Sequence, residues 1–116
     1  MSIYKKISLS GSANGNFISV NAASSPGVTL HTAVSGTTDT QYDEVWLWAV
    51  NASKSALSLT IEWGQTTACL EQTIPAESGF SLIVPGLVIQ NSLLVRAYGG
   101  NASQILIGGY ANRILD

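Results

Sequence analysis

Apolar and polar positions along this chain alternate in short segments, with the period of two that is typical of β-strands. The clearest case is segment 57–63, whose apolar positions are Leu57, Leu59, Ile61 and Trp63 and whose polar positions are Ser58, Thr60 and Glu62. Successive side chains of a strand point to opposite faces, so this pattern predicts one buried face and one polar face. Turn residues such as Asn14-Gly15 and Pro85-Gly86 separate the segments.

The whole pattern predicts an all-β protein, because no window shows helical periodicity of useful length. The predicted strands cover residues 3–10, 17–21, 28–34, 45–50, 57–63, 69–74, 80–84, 87–98 with a break near 90–92, and 104–114. We expect a single domain over residues 1–116, built as one antiparallel β-sandwich of about eight strands. A jelly roll is the arrangement that eight strands in two packed sheets favour.

The segment Val45 to Val50 is apolar on both of its predicted faces. Leu47 and its alternate neighbours point one way, and Trp46 and Trp48 point the other way. A two-layer sandwich buries only one face of each sheet, so a neighbouring subunit is a candidate to cover the second face. We therefore expect Leu47 in the core and Trp46 or Trp48 at or near a subunit contact. The alternative is that the exposed tryptophans form a sugar-binding platform.

Charge is the unusual feature of the composition. Only 10% of the 116 residues are charged and the net charge is −2, whereas charged residues make up roughly 25% of typical soluble domains. Without a basic run beyond Lys5-Lys6, the chain is not expected to bind nucleic acid. It also lacks a stretch of transmembrane length and an N-terminal apolar run, so we expect synthesis in a cytoplasm and no membrane partner.

The reactive side chains do not form a recognisable catalytic pattern. His31 is the only histidine and is expected to be packed or at the surface, and Cys69, the only cysteine, is expected to be a small core residue. The carboxylates are expected at solvated positions, and residues 39–44 lack the ligand spacing of a calcium loop. We therefore predict no catalytic residue, no cofactor and no metal site, and a protein that is not an enzyme.

Several segments together resemble one family of virus proteins. They are residues 6–12, 29–36, 43–47, 59–64, 73–76 and 109–114. In combination they resemble the small β-sandwich decoration (cement) proteins that bind the capsids of tailed bacteriophages. The resemblance spans nearly the whole chain and rests on overall pattern rather than on a catalytic signature.

The resemblance implies a jelly-roll subunit, often trimeric, on the outer surface of a phage capsid. There it would bind the major capsid protein and stabilise the shell as part of the virion. The candidate interface residues are Trp46 and Trp48 for subunit contact, and Lys5 and Lys6 for acidic capsid groups, with residues 1–6 as an N-terminal arm or an ordinary first strand. Neck, tail or fibre components of phages resemble the chain at the same level.

Overall fold

A computed structural model describes residues 3–77, 79–100 and 104–116 of the chain. Every regular element in these ranges is a strand. The strands are β1 (Ile3–Ser8), β2 (Ile18–Ser19), β3 (Val28–Thr32), β4 (Tyr42–Asn51), β5 (Leu57–Trp63), β6 (Cys69–Ile74), β7 (Ser81–Ile89), β8 (Leu94–Gly99) and β9 (Ile105–Leu115). The predicted all-β fold is confirmed, and its strands lie where the alternation placed them to within a few residues at most boundaries.

Two antiparallel sheets pack face to face. Sheet I has the order β1-β9-β4-β7, with β2 paired to β9 beyond the end of β1, and sheet II has the order β3-β8-β5-β6. If β1 and β2 are counted as one interrupted strand, the eight strands follow the jelly-roll order of two interlocked Greek keys. The edge strands of sheet I are thus β1 and β7, and those of sheet II are β3 and β6.

The core lies between the sheets and is filled by alternate residues of their strands. Val45, Leu47 and Ala49 of β4 are fully buried in it, together with Leu59 and Ile61 of β5. This confirms that Leu47 fills the sandwich core, and it follows from the alternation of side chains along a strand. Trp63 at the end of β5 is partly buried and packs against the same cluster.

The glycine pair in β9 allows close packing rather than a bulge. Gly108 and Gly109 stand opposite Trp48 and Leu47 in an unbroken β4–β9 register. A Cβ atom on Gly109 would clash with the backbone carbonyl oxygen of Trp46. Register shifts occur instead between β4 and β7. Strand β7 was predicted to end before Pro85, but it continues past this residue to Ile89. Proline is tolerated there because β7 is an edge strand.

Two predictions about polar residues of sheet II are wrong. On the second face of β5, Ser58 is exposed but Thr60 and Glu62 are buried. The segment between β2 and β3 covers Glu62, whose carboxylate accepts hydrogen bonds from Ser25 Oγ at 2.6 Å and from the Gly27 amide at 2.7 Å. Cys69 is exposed rather than in the core, since it begins the edge strand β6, where residues 69–73 are all exposed. Neither outcome follows from local pattern.

Candidate functional site

The two tryptophans of β4 lie on the outer face of sheet I, opposite the core. Trp46 and Trp48 are partly buried. Trp46 stacks on Tyr110 of β9 at a ring-centroid distance of 6.3 Å, and Trp48 lies tilted against the same ring at 6.0 Å. The two indoles are themselves 6.1 Å apart. Tyr110 reaches both because it is paired with Trp46 across the strands, while Gly108, paired with Trp48, carries no side chain. We call these three residues the aromatic row.

Polar contacts fix one end of the aromatic row. The Trp46 indole Nε1 donates to Glu44 Oε1 at 2.9 Å, and the Asn112 amide donates to the same oxygen at 3.0 Å. Hydrogen bonds from Trp46 and Asn112 lower the pKa of Glu44 from its ordinary value. Gly86 of β7 lies against the indole, so that a Cβ atom there would come within 2.9 Å of Trp46 Cζ2. Trp46 is therefore a packed part of the sheet surface rather than a free side chain.

The predicted interface lysines lie on β1, which is an edge strand and not a detached arm. Residues 3–6 of the proposed arm pair with β9, and residues 1–2 lie outside the described residues. Lys6 Nζ sits 4.5 Å from the ring centroid of Tyr110, so Lys6 adjoins the aromatic row. Lys5 is exposed and points to the opposite face, since neighbours in a strand alternate. The structure thus brings Lys6 and the tryptophans together but not Lys5.

Beyond Trp48, the outer face of sheet I becomes concave. Phe17 from the loop between β1 and β2 and Phe80 from the loop before β7 rise over Gly108, with Trp48 and Tyr110 as the remaining aromatic walls. The space enclosed is about 320 Å³. The two phenylalanine rings meet edge to face at 5.5 Å, and a Cβ atom on Gly108 would come within 2.8 Å of Phe17. We call this space the aromatic cleft.

The aromatic cleft was not predicted, because its walls come from separate segments that only the fold brings together. Phe17 and Phe80 lie beside turns, where exposure of a large apolar side chain is unfavourable, and they remain 52% and 61% exposed. Two phenylalanines beside turns, together with the glycine pair 108–109 in a strand, are the features of the sequence that could have indicated the aromatic cleft.

Exposed apolar side chains also occur on both faces of the edge strand β7, since the neighbours Leu87 and Val88 point to opposite sides. Leu82, Leu87 and Val88 are 46%, 46% and 54% exposed, and none of the nine residues of this edge strand is charged. Edge strands of natural proteins are usually protected by charge, proline, bulges or a cover, because their free backbone groups can pair with another strand. β7 has Pro85 and two register shifts in its middle but no charged residue. We call these three side chains and the free edge beside them the β7 edge.

A buried polar cluster joins the two sheets near the other end of β4. The Asp43 carboxylate accepts hydrogen bonds from His31 Nε2 at 2.7 Å and from the amide of Val34 at 3.1 Å. It also accepts hydrogen bonds from Nε and Nη2 of Arg113 at 2.8 Å and 2.9 Å. His31 and Asp43 are fully buried, so the prediction of solvated carboxylates is wrong for Asp43, as it is for Glu62. The reason is that Asp43 belongs to β4 itself and not to the preceding loop.

This cluster links the two sheets and engages both ring nitrogens of His31. The Nδ1 atom accepts from the backbone amide of Ser10 at 3.0 Å, so the proton of the neutral ring is on Nε2 and is donated to Asp43. Burial disfavours the charged form of Asp43, but hydrogen bonds from Arg113 and His31 outweigh it and lower the pKa of Asp43 to about 2. Asp43 in turn raises the pKa of Arg113.

Two further findings concern the described part of the chain. Over residues 3–77, 79–100 and 104–116, no three His, Cys, Asp or Glu side chains converge as a metal-binding group. The same ranges contain no helix long and apolar enough to cross a membrane. The sequence also predicts a turn at Asn101-Ala102-Ser103, and these three residues lie outside the described residues.

Comparison with known proteins adds no relative from which a role could be transferred. No protein-family model, curated protein or solved structure matches this chain. The interpretation of its surfaces therefore depends on their geometry.

Proposed function

We propose that this protein is a structural subunit that assembles with copies of itself through the β7 edge, and that the assembly decorates and stabilises a tailed-phage capsid. The observation that carries the assembly part is the uncharged edge strand β7, which keeps Leu82, Leu87 and Val88 exposed. Burying such side chains is worth about 25 cal/mol per Å² of apolar area removed from water. Leaving them exposed beside free backbone groups invites strand pairing.

A second copy of the chain is the partner that suits this edge best. An uncharged apolar strand matches another uncharged apolar strand without leaving a buried, unpaired charge, which would be costly. The other edge strand with an exposed leucine, β6, carries Glu71 beside Leu70 and is less suitable for the same reason. Homo-oligomers normally close with point symmetry, and a trimer is what the resemblance to decoration proteins implies.

The tryptophans support this role without being its main contact. Trp48 is paired with Leu82 of β7, and Trp46 with Pro85, so the aromatic row directly adjoins the β7 edge. A neighbour seated on β7 would therefore lie at or near Trp46 and Trp48. The lysines of β1 are on the opposite edge of the sheet, where Lys5 is exposed and available for acidic groups of a capsid protein.

The proposed location on a capsid rests on the resemblance to phage decoration proteins and on the small number of charged residues. Only 10% of the residues are charged, which fits a protein that is held in a stable particle better than a free monomer. A protein that binds the assembled shell and not its separated subunits stabilises the shell by mass action. No catalytic step is needed for this role.

The test is to add the purified protein to phage capsids that lack it and to heat them. We expect co-sedimentation with the capsids and a higher temperature of DNA release. The variant Leu87→Lys/Val88→Lys is expected to lose most of this effect if the capsid-bound form is the β7-linked oligomer.

Leu70→Lys, which places the same charge on an exposed leucine of β6, serves as the matched control and should behave like the wild type. Failure of the wild-type protein to bind capsids would contradict the virion role. Equal binding by the double variant would contradict the part assigned to β7.

A further inference from the structure

We propose that the aromatic cleft is a binding site for a single neutral pyranose ring, exposed at the end of a carbohydrate chain. The site adjoins the β7 edge at Leu82, which is paired with Trp48, but none of the three side chains of the β7 edge lines it, and it does not depend on the proposed assembly. Its walls are the rings of Phe17, Trp48, Phe80 and Tyr110, and its floor is the backbone at Gly108.

The size and shape of the aromatic cleft fit one ring. Its volume of about 320 Å³ lies at the small end of the range of about 300–1,000 Å³ that is typical of ligand pockets. Because Gly108 has no side chain, the Phe17 ring packs against its backbone so closely that a methyl group there would displace the ring. The walls are therefore in place before a ligand arrives, which lowers the entropic cost of binding.

The chemistry of the walls favours a sugar over a purely apolar group. A pyranose has an apolar face of C–H groups, which can lie on an aromatic ring, and a rim of hydroxyl groups. The indole N–H of Trp48 and the hydroxyl of Tyr110 have no hydrogen-bond partner among the described residues. An inserted leucine or phenylalanine side chain would bury these groups unpaired, whereas sugar hydroxyls can bond to them.

The charge next to the aromatic cleft favours a neutral ligand over a cation. Aromatic cages commonly bind quaternary ammonium groups through the faces of their rings. Here the Lys6 ammonium already lies 4.5 Å from the centroid of the Tyr110 ring. A second positive charge beside it would be repelled, while a neutral sugar would not be.

The experiment is saturation-transfer NMR on the full chain with a panel of methyl pyranosides of glucose, galactose, mannose and N-acetylglucosamine, followed by a glycan array. We expect transfer to the ring C–H protons of at least one sugar. Phe80→Ala should raise the dissociation constant of the sugar about tenfold or more. Phe80 is 61% exposed, so its removal should leave the fold intact.

Tyr110→Phe provides a second variant, since it keeps the ring and removes only the hydroxyl, and it should weaken binding without changing the thermal midpoint. Leu70→Ala, an exposed leucine on sheet II, is the control that should bind like the wild type. Absence of binding to every pyranoside and array glycan would overturn the inference. So would binding that Phe80→Ala leaves unchanged, or a Phe80→Ala variant that loses self-assembly instead. The double β7 variant should retain sugar binding, which separates this inference from the proposed function.

Discussion

Asp43 links the two sheets through buried hydrogen bonds. It belongs to sheet I, pairs with Arg113 on the neighbouring strand, and bonds to His31 of sheet II. A fully buried carboxylate is tolerated only when its hydrogen-bonding capacity is met, and here four donor groups meet it. The only histidine of the chain is thus used in structure.

Replacing Asp43 should destabilise the fold strongly. Asp43→Asn leaves the partly buried guanidinium of Arg113 without its counter-charge. Its amide nitrogen also replaces one acceptor, either Oδ2, which accepts from His31, Val34 and Arg113 Nη2, or Oδ1, which accepts from Arg113 Nε. We expect the free energy of unfolding, measured by urea titration, to fall by about 3 kcal/mol, as for other broken buried pairs. Asp39→Asn, an exposed aspartate in the preceding loop, is the control and should change little. A variant as stable as the wild type would contradict the role given to this cluster.

The same residue predicts how stability depends on pH. The pKa of Asp43 is about 2 in the folded protein and is lowered from an ordinary value of 3.8. A lowered pKa means that the stabilisation is complete above the unfolded value and is lost as pH falls. We expect a loss of about 2 kcal/mol between about pH 4 and about pH 2, and no comparable step from this site in Asp43→Asn. Urea titrations across this range for both proteins provide the measurement.

Among the structural elements, the segment between β2 and β3 shows how a loop can be fixed over a sheet by one side chain. Glu62 of β5 is buried and accepts bonds from Ser25 and Gly27 of that segment. Charge-assisted bonds of this kind are stronger than neutral ones. The amide of Gly27 in this segment is therefore expected to be well protected from hydrogen exchange, although the segment contains no regular structure.

Removing the Glu62 carboxylate should loosen this segment while the sheets remain. We expect Glu62→Ala to lower the free energy of unfolding by about 2 kcal/mol, because two donors lose a buried partner. The amide of Gly27 should then exchange with solvent faster in hydrogen-exchange NMR. Glu71→Ala, an exposed glutamate on the adjacent strand β6, is the matched control. Unchanged exchange at Gly27 would show that Glu62 does not hold the segment.

The sequence predicted the elements better than it predicted their surroundings. The alternation of side chains along a strand is a local property. It therefore correctly predicted that Leu47 lies in the core and that Trp46 and Trp48 lie on the opposite face of the sheet. The exposure of Cys69 and the burial of Glu62 depend on which strand is at an edge and which loop lies over it. The aromatic cleft was missed for the same reason, since Phe17 and Phe80 meet only in the folded chain.

At the scale of the whole molecule, the two exposed apolar surfaces lie at different places on one sheet. The aromatic cleft is built around the loops before β2 and β7 and adjoins Leu82 of the β7 edge, whereas Leu87 and Val88 are at the far end of β7. One protomer could therefore contact a neighbour through β7 and keep the aromatic cleft open. Such an arrangement suits a particle that is both assembled and able to engage a surface.

The central claim is that the β7 edge is covered by another copy of the chain. The molar mass of the purified protein, measured by light scattering during size-exclusion chromatography, tests it most directly. We predict an oligomer for the wild type and for the Leu70→Lys control, and a folded monomer for Leu87→Lys/Val88→Lys. A wild-type protein that remains a monomer at all concentrations, or a double variant with the same oligomeric mass as the wild type, would contradict the account.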